Sequence, residues 1–106
     1  MVWNTTYMAP EVWENYTRYT FSADIWSLGC IMAFQCNKGK HLIQGCRTMP
    51  EMIQKMREWR GLPKRTIRGY SSDLIALIGK MLHPDHHGRP SAREIWTECT
   101  SARKAL

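Results

Sequence analysis

Apolar positions along the chain fall into blocks with helical spacing, and the stretches between them are rich in glycine, proline and basic residues. The most apolar block runs from about Ala23 to Cys36 and carries hydrophobic side chains all round the helical wheel, which is typical of a helix buried on most sides. Ser22 before it is a good N-cap, and Asp24 lies in the first turn, where the helix dipole favours a carboxylate. We expect this helix to be the centre of the fold.

A second helix is indicated by strong start and stop signals further along the chain. The sequence Thr48-Met49-Pro50-Glu51 is a capping box with proline in the first turn, and Met52, Met56 and Trp59 follow on one helical face. Gly61 is expected to end this amphipathic helix. The segment that follows reads as a basic loop.

Two later helices have similar punctuation. Ser71 or Ser72 can cap one of them, which Pro84 stops, and Ser91-Ala92-Arg93-Glu94 is a second capping box that opens the last helix. The last helix is expected to turn Ile95, Trp96 and Cys99 toward the core.

A short helix, Glu11 to Asn15, is expected after Pro10. No segment shows the period-two alternation of a half-buried strand. The sequence therefore predicts a mainly α fold with four or five helices, long loops and no sheet.

Composition limits the chain to one domain at most, since it has 106 residues, of which 43% are hydrophobic and 23% charged. No apolar run is long enough to cross a bilayer, and the amino terminus lacks a secretory signal, so we expect no membrane association and an intracellular location, cytoplasmic or nuclear. The four cysteines lack the spacing of a disulfide framework and are expected to be reduced. The net charge of +6 is spread over loops and helix ends, which disfavours nucleic acid as a partner.

Three sequence blocks occur together and in order. They are Tyr7-Met8-Ala9-Pro10-Glu11, then Ser22-Ala23-Asp24-Ile25-Trp26-Ser27-Leu28-Gly29, then Met81-Leu82 followed by Asp85 and by Arg89-Pro90-Ser91-Ala92. Together they resemble the lower half of the C-lobe of eukaryotic protein kinases. Lys40-His41 and Tyr70-Ser71-Ser72-Asp73-Leu74 look most like NIMA-related serine/threonine kinases. The resemblance covers nearly the whole chain, so residues 1–106 are expected to be a partial kinase domain.

Four residues receive structural roles from this resemblance. In the family, the residues matching Glu11 and Arg89 form a buried ion pair; the alternative for this chain is two solvated surface charges. The residue matching Asp24 accepts hydrogen bonds from the backbone of the catalytic loop, and the residue matching Trp26 packs beneath it. Because this sequence contains no such loop, Asp24 is expected to be a buried acceptor without donors.

The segment from Asn4 to Ala9 resembles the kinase loop that receives the substrate residue following the phosphorylated one, and Asn4, Tyr7, Met8 and Ala9 are its candidate residues. Asn4 stands where the family usually has a threonine whose hydroxyl bonds to the catalytic Asp and Lys. Asparagine is larger and differently shaped, a departure that disfavours efficient catalysis even in a longer parent protein.

Catalytic and cofactor-binding residues are not found in the sequence. Kinases need a glycine-rich loop, a strand lysine paired with a helix glutamate, a His-Arg-Asp loop and an Asp-Phe-Gly for Mg²⁺, and the chain has none of these. We expect it to be inactive by itself; ATP and Mg²⁺ are cofactors of a complete parent domain only. His83, His86 and His87 lie near Asp85, but no helical i, i+4 pair of ligands is present, so a polar loop without metal is expected.

Two functions remain open. The chain is either a truncated serine/threonine kinase domain, whose parent phosphorylates protein substrates, or a non-catalytic, pseudokinase-like module in which residues 49–82 bind protein partners. Loss of the segments that surround the central helix in kinases would expose apolar faces, so we expect a marginally stable and aggregation-prone fold.

Overall fold

The computed structural model describes residues 7–43, 45–63 and 66–105. Five α-helices follow one another: α1 Pro10–Glu14, α2 Phe21–Cys36, α3 Met49–Glu58, α4 Ser72–Met81 and α5 Ala92–Ala105. Short 3₁₀ turns occur at Tyr16–Arg18 and His86–Gly88. The described residues contain no strand, and the prediction of a mainly α fold is confirmed.

Helix α2 begins earlier than the sequence indicated. Thr20 is its N-cap residue, without a side-chain cap hydrogen bond, and the prediction that Ser22 would be the N-cap is wrong. Ser22 lies inside the first turn, and its hydroxyl donates a 2.8 Å hydrogen bond to the carbonyl of His86. The side chain thus joins α2 to a distant turn rather than closing its own helix.

The two predicted capping boxes are both used, one of them in modified form. Ser91 Oγ accepts the amide of Glu94, and the Glu94 carboxylate accepts the amide of Ser91, each at 3.1 Å. Thr48 Oγ1 accepts the amide of Glu51 at 3.4 Å, but the Glu51 carboxylate accepts the amide of Arg47 instead of that of Thr48. In both helices the capping side chain satisfies the amide of the third helical residue, one of the orphan donors of the first turn.

Local signals account for both ends of α4 but not for the end of α3. Helix α3 ends at Glu58, earlier than the expected stop at Gly61, whose φ of +123° requires glycine. Ser71 caps α4 by accepting the amide of Leu74 at 3.2 Å. Pro84 follows shortly after the last residue of α4, as predicted.

Packing of α2 on α4 forms the centre of the core, and α1 packs on α3 beside it. The largest fully buried side chains are those of Trp26, Ile78, Met81 and Leu82. A Cβ at Gly29 would lie only 2.9 Å from Met81 Cβ, so the close approach of the two helices depends on glycine. Helix α2 is therefore the centre of the fold, as predicted.

The opposite face of α2 is exposed in this chain. Phe21 is 91% exposed, and Leu28 and Ile31 are each 42% exposed. The prediction of a helix buried on most sides is wrong for the described residues, because none of their elements covers this face. The distribution of apolar residues round the helical wheel shows which faces of α2 can be buried. It does not show whether another element of the chain covers each of those faces.

Helix α5 contributes less to the core than predicted. Ile95 packs against a cluster formed by Ile25, Leu77 and Met81, as expected. Trp96, however, is 70% exposed and Cys99 is exposed, so the prediction that these side chains face the core is wrong. Helical spacing placed them on one side of α5, but among the described residues only Ile95 of these three packs against the core.

Candidate functional site

An ion pair between Glu11 and Arg89 is the anchor of the site. Arg89 Nη1 and Nη2 donate to the two carboxylate oxygens of Glu11, each at 2.8 Å, and the two side chains are 0% (Arg89) and 6% (Glu11) exposed. Arg89 also donates from Nε to the carbonyl of His83 at 2.9 Å and from Nη1 to that of Ser22 at 3.2 Å. The pair expected by resemblance is present, and the alternative of two solvated charges does not fit this burial.

Burial and pairing act in opposite directions on the Glu11 carboxyl. Desolvation raises its pKa, but the hydrogen bonds and charge of Arg89, helped by a backbone hydrogen bond and the charge of His86, together outweigh that effect and hold the pKa below the usual 4.5. Glu11 is therefore an ionised partner at neutral pH, and the pair is a charge-assisted, bidentate contact.

Trp26 lies beneath this pair, within the core. The guanidinium carbon of Arg89 is 5.1 Å from the centroid of the Trp26 ring, a distance that permits a cation–π contact. The Trp26 ring also meets that of Trp59 edge to face, with centroids 5.6 Å apart. Trp59 Nε1 in turn donates to the carbonyl of Leu82 at 2.8 Å, so the aromatic pair joins α2 to the ends of α3 and α4.

The segment Tyr7-Met8-Ala9 leads into α1 and is fixed at several points. The carbonyl of Tyr7 accepts a 2.7 Å hydrogen bond from Ser27 Oγ in the middle of α2. Met8 packs against the core, and Ala9 is buried while its carbonyl accepts the amides of Val12 and Trp13, which starts the helix. Asn4, the fourth candidate residue of this loop, lies outside the described residues.

Ser27 was not predicted to hold the loop. The sequence marked it only as a polar residue within an apolar helix block. Its partner is a backbone carbonyl, and since every residue has one, the sequence does not identify it. A hydroxyl at a position surrounded by core residues was the available signal, since buried polar groups in proteins have hydrogen-bond partners.

Asp24 differs from the expectation of a buried acceptor without donors. Its carboxylate is exposed in the first turn of α2 and accepts a hydrogen bond from the hydroxyl of Tyr19. That expectation is therefore wrong: the face of α2 that carries Asp24 is open to solvent, and a neighbouring side chain supplies a donor.

Among the described residues, the cysteine thiols give no support for nucleophilic chemistry. The four cysteines are free thiols, as expected, and burial raises the pKa of Cys30 to about 12, which makes it a poor nucleophile. The imidazoles of His86 and His87 and the carboxylate of Asp85 lie together at the 3₁₀ turn before Arg89. Within the described residues, no helix is long and apolar enough to cross a membrane.

Comparison with known proteins agrees with the geometry. The family model described as protein kinase domain matches residues 1–99 of the chain. The serine/threonine-protein kinase Nek1 of Toxoplasma gondii is 34% identical over 87 residues, which covers 81% of this chain and 5% of that protein. The G2-specific protein kinase nimA of Emericella nidulans is 37% identical over 82 residues, or 76% of this chain and 11% of that protein.

Similarity extends beyond the NIMA-related proteins. The mitogen-activated protein kinase pmk-1 of Caenorhabditis elegans is 32% identical over 115 aligned positions, which cover 83% of this chain and 30% of that protein. The chain therefore spans between 5% and 30% of the length of these three relatives.

Proposed function

Because this chain belongs to the protein kinase domain family, we propose that it is the substrate-binding lower part of a serine/threonine kinase domain. The complete parent domain transfers the γ-phosphate of ATP, with Mg²⁺, to serine or threonine of a protein substrate. The observation that carries this proposal is the buried pair of Glu11 and Arg89, which fixes the start of α1 against the connection between α4 and α5.

The pair supports a substrate-binding role because of what it holds in place. Tyr7, Met8 and Ala9 immediately precede α1, and Ser27 anchors the first of them from α2. By resemblance, this segment receives the residue that follows the phosphorylated one. A loop fixed by packing and hydrogen bonds orients its ligand at a low entropic cost, and positioning contributes a large part of phosphoryl-transfer catalysis.

The chain by itself is proposed to be inactive. Its sequence contains no glycine-rich loop, paired lysine, His-Arg-Asp or Asp-Phe-Gly motif, so no group is present to position ATP, metal and substrate hydroxyl. Its catalytic and cofactor-binding residues would lie in the parent domain. A cytoplasmic or nuclear location, and a protein as partner in preference to nucleic acid or membrane, belong to the same proposal.

A paired measurement on the purified chain tests the inactivity. The chain is titrated with Mg²⁺-ATP while tryptophan fluorescence is followed, and it is incubated with radiolabelled ATP and a mixture of general kinase substrates. We expect no saturable fluorescence change and no incorporation above that of a heat-denatured sample. Incorporation that grows with time and with chain concentration would refute the proposal of an inactive chain.

A second candidate is a non-catalytic module that binds a protein partner. It is favoured by a cavity of about 750 Å³ beside α3, whose lining includes Leu42, Ile43 and Trp59. Lys55 also lines this cavity, so cross-linking through its side chain in cells tests whether a protein partner binds there. Recovery of one stoichiometric partner with a stable 106-residue product would favour the module over the kinase domain.

A further inference from the structure

We propose that Asp85, His86 and His87 form a binding site for a divalent transition-metal ion of the zinc type. One ligand atom from each of the three residues lies within 4.8 Å of the other two. Asp85 Oδ1 is 3.9 Å from His86 Nδ1, and the two imidazole centroids are 4.0 Å apart. The site is separate from the proposed transfer of phosphate and does not depend on it.

The fold builds this cluster through a fixed backbone. Asp85 Oδ1 accepts the amide of His87 at 3.0 Å, and the Asp85 carbonyl accepts the amide of Gly88 at 2.9 Å, which closes the 3₁₀ turn. Ser22 donates to the carbonyl of His86 from α2. The turn is therefore held at both of its ends and from a neighbouring helix, so that the three side chains start from a common surface.

Arg89 adds a further constraint just after the turn. Its Nε donates to the carbonyl of His83 at 2.9 Å, and its Nη2 approaches that of Pro84 at 3.5 Å. The Asp85 amide donates to His83 Nδ1 at 3.0 Å, and His83 is not counted among the ligands because it is outside the group whose ligand atoms lie within 4.8 Å of one another. The chain on the amino-terminal side of the cluster is thus ordered by the same arginine that binds Glu11.

The donor set determines the class of ion. Zinc binds imidazole nitrogen at about 2.0–2.1 Å, so tetrahedral ligand atoms lie about 3.4 Å apart, and modest side-chain rotations bring the observed cluster to that spacing. Asp85 and His87 are exposed, so there is room for such rotations, and a rotation that keeps the hydrogen bond from the His87 amide to Asp85 Oδ1 leaves the other carboxylate oxygen for the ion. Two imidazoles and one carboxylate suit zinc or copper, whereas Mg²⁺ and Ca²⁺ require oxygen ligands.

Positive charges near the cluster are expected to lower its affinity for a metal ion without preventing binding. The cavity of about 410 Å³ beside the cluster is also lined by Glu14 and by three arginines, Arg18, Arg57 and Arg60. Glu14 pairs with Arg57 at 2.7 Å and so offsets one of the three arginines. Because the positive charges of Arg18 and Arg60 remain and only three protein ligands are present, we expect weaker binding than in closed four-ligand zinc sites.

A zinc titration of the full chain tests this inference. The Cys46→Ser, Cys99→Ser variant serves as background, because these thiols are half-buried and exposed respectively and could compete for the metal. Two-dimensional NMR follows the imidazole signals while ZnCl₂ is added, with MgCl₂ in a parallel series. We expect saturable shifts of the His86 and His87 signals with zinc, none of comparable size at His41, and no response to magnesium.

Two variants and a peptide distinguish a metal site formed by the fold from nonspecific metal binding. His87→Asn should weaken zinc binding by at least about tenfold, while His41→Asn, which removes an imidazole that contacts Tyr7 and Phe34 and is not part of the cluster, should leave the affinity unchanged. A synthetic peptide of residues 81–92 lacks the contacts from Ser22 and Glu11 and should bind more weakly than the chain. Absence of saturable shifts at His86 and His87, unchanged affinity in His87→Asn, or equal affinity of chain and peptide would each overturn the inference.

Discussion

Arg89 holds both carboxylate oxygens of Glu11 at 2.8 Å, although 78 positions separate the two residues in the sequence. The contact joins α1 to the connection between α4 and α5. Both side chains are buried, and the remaining donors of Arg89 face the carbonyls of Ser22, His83 and Pro84. A bidentate pair with satisfied neighbours is the arrangement in which a buried charge is tolerated.

Glu11→Gln is expected to lower the free energy of unfolding by about 3–5 kcal/mol, because it leaves the Arg89 guanidinium buried without a counter-charge. Urea unfolding followed by tryptophan fluorescence measures the change. Glu14→Gln is the matched control, since Glu14 pairs with Arg57 at 2.7 Å on the surface. That control should cost much less, because water screens an exposed ion pair, and equal effects of the two variants would contradict the buried role of Glu11.

Acid is expected to weaken the fold through the same pair. The pKa of Glu11 is held below 4.5 in the folded chain, so the folded state binds its proton less readily than the unfolded state does. The stability that ionised Glu11 contributes is present above about pH 4.5 and is lost as the pH falls through the lower, folded pKa. Urea midpoints measured between pH 7 and pH 3 should show this fall.

Glu11→Gln provides the control for the acid effect. The pKa of Asp85 is also lowered, chiefly by the hydrogen bond from the His87 amide, and that of Glu14 by the hydrogen bond from Arg57. Between pH 7 and pH 3, Glu11→Gln should therefore lose less stability than the unsubstituted chain. It should still lose some, because the carboxyls of Asp85 and Glu14 also contribute. An acid transition of unchanged size in Glu11→Gln would rule out Glu11 as its main source.

Gly29→Ala is expected to destabilise the chain by about 1–3 kcal/mol, as overpacking of a core does. The added Cβ would lie 2.9 Å from Met81 Cβ and 3.1 Å from Leu82 Cδ2, so α2 and α4 would have to separate. Gly79→Ala is the matched control within α4, because a Cβ there meets no atom within 4 Å in the structure. It should stabilise by about 0.5–1 kcal/mol through helix propensity, and a stabilising Gly29→Ala would disprove the close packing.

Trp59→Phe is expected to cost about 1–3 kcal/mol, because it leaves the partly buried carbonyl of Leu82 without its donor and trims the edge-to-face contact with Trp26. Trp96→Phe is the control, since that side chain is 70% exposed. Its effect should stay within about 0.5 kcal/mol. Thermal unfolding of both variants, followed by circular dichroism, compares them; similar losses would contradict the assigned packing.

Local chemistry explains which parts of the fold could be predicted. The starts of α3, α4 and α5 follow from Thr48, Ser71 and Ser91, because a capping side chain and the amide that it satisfies are three residues apart. The end of α4 is predicted by Pro84, because proline has no amide hydrogen and cannot continue a helix. These signals act within one helical turn and need no knowledge of the rest of the structure.

Contacts between residues far apart in the sequence, and the burial of individual side chains, were harder to predict. The pairing of Glu11 with Arg89 was expected only through the family resemblance, since no periodicity relates two residues so far apart. The exposed position of Trp96 was missed because helical spacing shows which residues share a face and not whether another element covers it. That of Asp24 was missed because the resemblance assigned to it the surroundings of a complete kinase domain. At Asp85, His86 and His87 the sequence indicated a polar loop without metal, because no helical i, i+4 pair of ligands is present. Such spacing does not indicate that a 3₁₀ turn brings these three side chains together.

Sequencing the transcript across the region upstream of the first codon tests the central claim most directly. If the chain is the substrate-binding part of a serine/threonine kinase domain, in-frame codons for a glycine-rich loop, a His-Arg-Asp motif and an Asp-Phe-Gly motif should precede it. An in-frame stop codon shortly upstream, with no such motifs, would contradict the kinase-domain account and leave the binding module as the function to be tested.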